Sequence, residues 1–259
     1  MFGPDSMAWR VHANPFVLAV GGIAAVVLEL AEPRVRAGVW DHSNFRADPL
    51  RRMRRTAQAA LLTTFGPTAA AQAGIEAVDR RHARVTGTTP DGEPYSARDS
   101  ELADWVHVTA GYGFLTAYRR LLAPRLPPEE ADRYWAEGRE VAAAYGAGDP
   151  PASHAQALAA IRAMKPRLRP SPVIGEFLDL VSRASPLGAP GRPLQALVVQ
   201  SALACLPPWA IGQLVLPDRP VRGAGAVAAA KTFALAARAT PLPIVSAAYA
   251  RVSRTPRQI

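Results

Sequence analysis

Apolar positions along the chain recur three and four residues apart or run together for about a dozen residues, and no segment keeps the strict alternation of a strand. The first block, "FVLAVGGIAAVVLELAEP", is apolar on every side from Phe16 to Leu28 and closes at Glu29 and Glu32 before Pro33, which predicts a buried core helix. "SNFRADP" reads as a loop. Asp48 followed by Pro49 predicts a helix start, because the carboxylate caps free amides and proline fits the first turn. That helix runs from Pro49 to Phe65 and stops at Gly66. A second runs from near Thr68 to about Val85, and so short a link makes the two packed neighbours.

Pro90, Asp91 and Gly92 mark a turn, with a short extended piece up to Tyr95. A long apolar helix follows from about Asp99 to Leu122, then another opening at "PPEEADRYW", and then the linker "GAGDPPASHAQ". A short amphipathic helix in "SPVIGEFLDLVSRAS" and the apolar segments "LQALVVQSALACLPPWAIGQLVL" and "AGAVAAAKTFALAARATPLPIVSAAYARV" complete the chain. The predicted fold class is all-α: one multi-helix domain over residues 1–259 with roughly eight to ten helices, 1–14 an N-terminal extension and 252–259 a flexible tail.

Composition narrows the function classes. With 259 residues and 49% hydrophobic side chains, the chain can bury a sizeable core. Its formal net charge of +9 comes from arginine, since Lys165 and Lys231 are the only lysines. The arginines are scattered and no recognition motif accompanies them, so nucleic acid is not an expected partner. Cys205 is the single cysteine, which excludes an internal disulfide and any multi-cysteine metal site, and its apolar setting predicts inert packing. The stretch "MFGPDSMAWRVHANP" lacks the features of a signal peptide, and the dozen-residue apolar run falls short of the roughly 20 that span a bilayer, so the expected location is cytoplasmic. No Walker loop, dinucleotide fingerprint, GxSxG elbow or HExxH pair is present.

Candidate chemistry centres on "EAVDRRHARVTG". Ile75, Val78 and Val85 share a helical face with His82, which therefore points inward, while Asp79 lies within reach of its imidazole. Pattern alone favours a core histidine bonded to a carbonyl one turn earlier, and a ligand role stands beside that reading. On the preceding helix Leu50, Met53, Ala57 and Leu61 form an apolar face, with Arg52 and Thr56 at its border. A guanidinium held there needs an anion or several acceptors, and a carboxylate would serve.

The ordered segments "AEPRVRAGVWDHSNFRADPLRRMRRT", "RRHARVTG", "GEPYSARDSELADWVHVT", "DRYWAEG" and "LPPW" resemble the oxygenase family that contains rubber oxygenase (latex-clearing protein) and an MpaB-like fungal oxygenase of mycophenolate synthesis. The resemblance runs from about Phe16 to Tyr145 and more loosely to Arg251. It implies a b-type haem, bound non-covalently in a globin-reminiscent helical core, with His82 as the axial iron ligand and metal-binding residue. It places Arg52 and Thr56 at the cofactor, and Arg55 where rubber oxygenase has a lysine able to occupy the distal side of the iron. An arginine stays protonated and cannot ligate iron. The implied activity is an oxygenase reaction with O2 on a hydrophobic substrate, isoprenoid chains among them.

Other residues are weighed beside these. His42 in "WDHSNF" stabilises a loop or, with Arg55, serves catalysis on the distal side. His107 is a buried, hydrogen-bonded histidine or the competitor to His82 at the cofactor. His12 and His154 are expected in solvent. Glu29 and Glu32 are the candidate carboxylates, Glu32 standing where relatives commonly have histidine. Gly21, Gly22, Ala24 and Ala25 suit close approach, of a macrocycle or of another helix. A second reading, a non-catalytic basic α-helical protein making peripheral contact with membrane surfaces or other anions, rests on the positive charge and the apolar terminal helices.

Overall fold

Four times along the chain a capping side chain is followed by proline, and each time a helix begins there. A computed structural model of the chain describes residues 1–214 and 223–254. Asn14 opens α2 (Pro15–Glu29), its Oδ1 accepting from the amides of Phe16 and Val17 at 3.0 and 3.1 Å. Glu32 opens α3 (Pro33–His42), Asp48 opens α4 (Pro49–Phe65) and Ser171 opens α9 (Pro172–Arg183), each side chain accepting from an otherwise free amide. Gly66 ends α4 as predicted, and α5 is Thr68–His82, which makes His82 the last helical residue.

The short strands β1 (Thr86–Thr88) and β2 (Pro94–Ser96) pair antiparallel with Gly87 opposite Tyr95, and Gly92 turns between them at φ +86°. Asp99 caps α6 (Ser100–Leu121), after which come α7 (Pro128–Ala144) and α8 (His154–Met164). Beyond α9 lie α10 (Arg192–Cys205), α11 (Pro208–Leu214), α12 (Gly223–Ala236) and α13 (Pro243–Arg254). With α1 (Met7–His12) the described residues hold 13 α-helices, more than expected, around a single two-stranded sheet. The all-α class stands. The surplus comes from short helices such as α1, α3 and α11, whose stability is tertiary and not periodic.

The core is α2 laid along α6. A methyl group on Gly21 would sit 2.7 Å from the Phe114 Cα, and one on Gly113 would strike the Gly21 carbonyl oxygen, so these glycines set the distance between the helices. Gly21 thus serves helix packing and receives no macrocycle, while Ala24 and Ala25 are buried. Helices α10 and α12 close over α2 from another side. Cys205 is buried, and burial pushes its thiol up to about 12, in keeping with inert packing.

Residues 1–14 pack against the body of the protein. Trp9 is 1% exposed, its Nε1 donates to the Thr64 carbonyl at 2.9 Å, and its ring packs with Phe65 and with Val245 and Ala248 of α13. His12, expected in solvent, is half-buried and held between Thr64 Oγ1 (2.9 Å) and Tyr134 OH (3.0 Å), and desolvation pulls its pKa down to about 4. His154 is likewise engaged: its Nδ1 accepts from Trp135 Nε1 at 3.3 Å and its amide donates to Asp132. At the other end α13 carries residues 252–254, while 255–259 of the predicted tail lie outside the described residues. No single helix among the described residues is long and apolar enough to cross a membrane.

Candidate active site

The helical hairpin of α4 and α5 presents Arg52 and His82 toward the α2–α6 pair. Arg52 interacts electrostatically with Glu29, the last residue of α2, and with His82 at the end of α5. Glu29 also accepts a long hydrogen bond, 3.4 Å, from Thr109 Oγ1 on α6. Four helices therefore contribute one residue each, and Thr56 joins them through a close contact of its hydroxyl with the Arg52 guanidinium and a 3.1 Å bond to the Arg52 carbonyl.

Burial raises the Glu29 pKa to about 7, even though Arg52 and Thr109 oppose the shift. The carboxyl therefore exchanges a proton near neutrality, as a general acid or base must. Arg52 is pulled below its ordinary value by desolvation, with Glu29 opposing and the Arg55 cation assisting. His82 is lowered as well, first by burial and then by the cations Arg52 and Arg98, against Asp79. A neutral imidazole is the form that binds a metal.

The imidazole of His82 makes no hydrogen bond with any described residue. Asp79, its expected partner, is gripped by Arg98 instead, at 3.0 Å to Nε and 2.6 Å to Nη2. The predicted apolar face of α4 is also less covered than its sequence implies. Met53 and Leu61 are only half-buried, Thr56 and Ala57 are exposed, and the fully buried residues of this helix are confined to its end at Thr63, Thr64 and Phe65. Helix α4 packs on α5, α1, α13 and α9, not along α2.

The other predicted site residues stand apart. Arg55 lies on an adjacent face of α4 and lines an open depression of about 560 Å³ with Arg51, Arg54 and Gln58. His42 is exposed at the end of α3, its Nε2 3.1 Å from the Tyr95 hydroxyl, which ties it to the hairpin. His107 points to α7, where it meets the Trp135 ring edge-on at 5.9 Å and lies against Gly138. Its buried Nε2 has no partner, so the expected hydrogen bond is not made.

Glu32 is fully buried, with one oxygen on the Val35 amide and the other on Arg34 Nε, both at 2.9 Å. Arg34 reaches Glu101 at 2.8 Å, and Arg167 reaches Glu93 and Glu101, so Glu32 anchors an ion-pair network and is not a free base. Neither Thr109 nor Arg98 stands out in the sequence. The one available signal was a hydroxyl at position 109 between the apolar residues Val108 and Ala110 of α6.

A partly covered apolar face of α4 thus lies beside an imidazole, a guanidinium and a carboxyl drawn from α5, α4 and α2 of an all-helical domain. The chain belongs to the family described as "ER-bound oxygenase mpaB/B'/Rubber oxygenase, catalytic domain", whose model matches residues 9–239. An oxygenase catalytic domain takes O2 and a small-molecule substrate. No curated protein and no solved structure matches the chain.

Proposed function

We propose that this protein is a haem b-dependent oxygenase acting on a hydrophobic substrate of isoprenoid type. The observation that carries the reading is the incompletely covered face of α4 next to His82, whose imidazole is held neutral and lacks a protein partner. No three His, Cys, Asp or Glu side chains gather into a metal cage among the described residues. An iron carried in a macrocycle needs only one or two protein ligands, and the donor set at His82 fits that demand. His82 would hold the iron, Arg52 and Thr56 would pair with the propionates, and the apolar residues Met53, Ala57 and Leu61 would lie against the ring. When bound, the haem supplies the activation of O2.

The chain's own residues then divide the remaining work. Arg52 and Thr56 orient by charge and hydroxyl donation. Glu29 takes up or releases a proton at its carboxyl oxygen, tuned by burial against the Arg52 charge. Arg55, a permanent cation on the outer side of α4, stays off the metal. The test is the absorption spectrum of protein expressed with added haem. A Soret band that His82→Ala abolishes, with the far-ultraviolet dichroism unchanged, is the expected result. A parent protein without a Soret band or a pyridine haemochrome overturns the reading.

A further inference from the structure

Helix α12 breaks the usual match between composition and burial. Lys231 and Thr232 are the only polar side chains in its sequence, "GAGAVAAAKTFALA", and a helix apolar on every side is ordinarily enclosed. Here one stripe is covered: Ala226, Ala230 and Ala234 are at most 8% exposed against the body of the protein. Of the two large exposed side chains, Phe233 (46% exposed) stacks on the Phe16 ring at 6.1 Å, while Leu235 (53% exposed) lies on the other flank of the stripe, on the side that carries Lys231 and Arg238. Tyr249 of α13 adds a further exposed ring.

Charge says what covers this face. From residue 219 to 259 the sequence holds seven basic residues, Arg219, Arg222, Lys231, Arg238, Arg251, Arg254 and Arg257, and no Asp or Glu. Among the described residues this apolar helix face is flanked by the exposed Lys231 and Arg238, in a stretch of sequence whose charges are all positive. At 14 residues α12 is too short to span a bilayer, which takes about 20. Its outer side matches an interface where acyl chains meet anionic headgroups.

We propose that the outer face of α12 docks this protein on the surface of an anionic phospholipid bilayer, with Leu235 entering the acyl boundary and Lys231 and Arg238 meeting the headgroups. This surface stands independently of the haem reading. The test is sedimentation of the purified full chain with vesicles of phosphatidylcholine, and with vesicles of phosphatidylcholine and phosphatidylglycerol in equal parts. Binding to the anionic vesicles, weakened by salt, is expected. Lys231→Gln with Arg238→Gln weakens partitioning about thirtyfold, and Leu235→Ser about tenfold.

These positions are exposed, so melting temperatures stay at the parent value and loss of binding is not loss of fold. Failure of the parent to sediment with anionic vesicles overturns the proposal, as does equal partitioning of the variants. A dimer in sedimentation equilibrium that Leu235→Ser dissociates also overturns it, by assigning the face to a second copy. The readout contains no haem, so its failure is separable from a missing Soret band.

Discussion

Replacing Glu29 by glutamine removes a titration while keeping shape and a hydrogen-bonding amide. In the folded protein the carboxyl titrates near 7, against 4.5 as its ordinary value, because burial outweighs the help of Arg52 and Thr109. A carboxyl raised on folding favours the protonated folded state, so its contribution is intact below pH 4.5 and is lost as pH climbs through 7. Each tenfold change in proton affinity is worth about 1.4 kcal/mol, and allowing for partial exposure the loss comes to about 2–3 kcal/mol. Other groups titrate in the same range, so the informative quantity is the difference between variant and parent. For the haem-free protein, urea unfolding at a series of pH values should give equal stabilities near pH 4.5. Glu29→Gln should then gain progressively, reaching about 2–3 kcal/mol above pH 7, or roughly 5–8 °C in melting temperature. A difference that stays flat with pH would refute the burial argument and take from Glu29 its role as the proton-exchanging group.

Two further substitutions probe the frame around the site. His107→Leu removes an imidazole whose buried Nε2 lacks a partner and whose pKa desolvation has drawn down to about 4. A histidine lowered on folding contributes stability above pH 6.5 that disappears as pH falls through 4. The leucine variant should therefore match the parent within about 1 kcal/mol at pH 7 and exceed it by roughly 2–3 kcal/mol at pH 4 in urea titrations. Its Soret band should equal the parent's, and loss of that band would move the iron ligand from His82 to His107. Gly113→Ala drives a methyl group into the Gly21 carbonyl and should cost about 1–3 kcal/mol by thermal melting, whereas an unchanged melting temperature would mean that α2 and α6 are free to separate.

What could be read from the sequence was what local chemistry decides. Asp48 before Pro49, Gly66 after Phe65 and Asp99 before Ser100 each placed a helix end within a residue, because capping engages amides only two or three positions away. Arg52, Thr56 and His82 were legible as a set for a related reason. They sit on consecutive helices joined by a two-residue link, Gly66 and Pro67, so adjacency in sequence implies adjacency in space. Long-range packing hid the rest. His12 looked solvated until Thr64 and Tyr134, 52 and 122 residues further on, closed around both ring nitrogens. Asp79 lay within reach of His82, yet Arg98, placed by the hairpin, took it first.

The apolar face of α4 carries the most consequence among these differences. Periodicity gave Leu50, Met53, Ala57 and Leu61 an interior address, and the described helices leave that face partly open. A helix with an amphipathic pattern keeps its apolar stripe because something covers it, since apolar surface left in water forgoes about 25 cal/mol per Å². Next to that stripe stand an imidazole whose pKa burial lowers and a guanidinium whose interacting carboxyl, Glu29, titrates at about 7. In the proposed reading, haem meets the demands of both stripe and cation, being flat, apolar and edged with carboxylates. Arg52→Ala should therefore weaken haem retention without abolishing it, and Ala57→Asp should abolish it with His82 intact, because a carboxylate on the stripe is both unsolvated by the ring and repelled by the propionates. Haem content by pyridine haemochrome, compared between these two variants, reads whether the stripe or the cation governs binding, and full retention in Ala57→Asp would place the cofactor elsewhere.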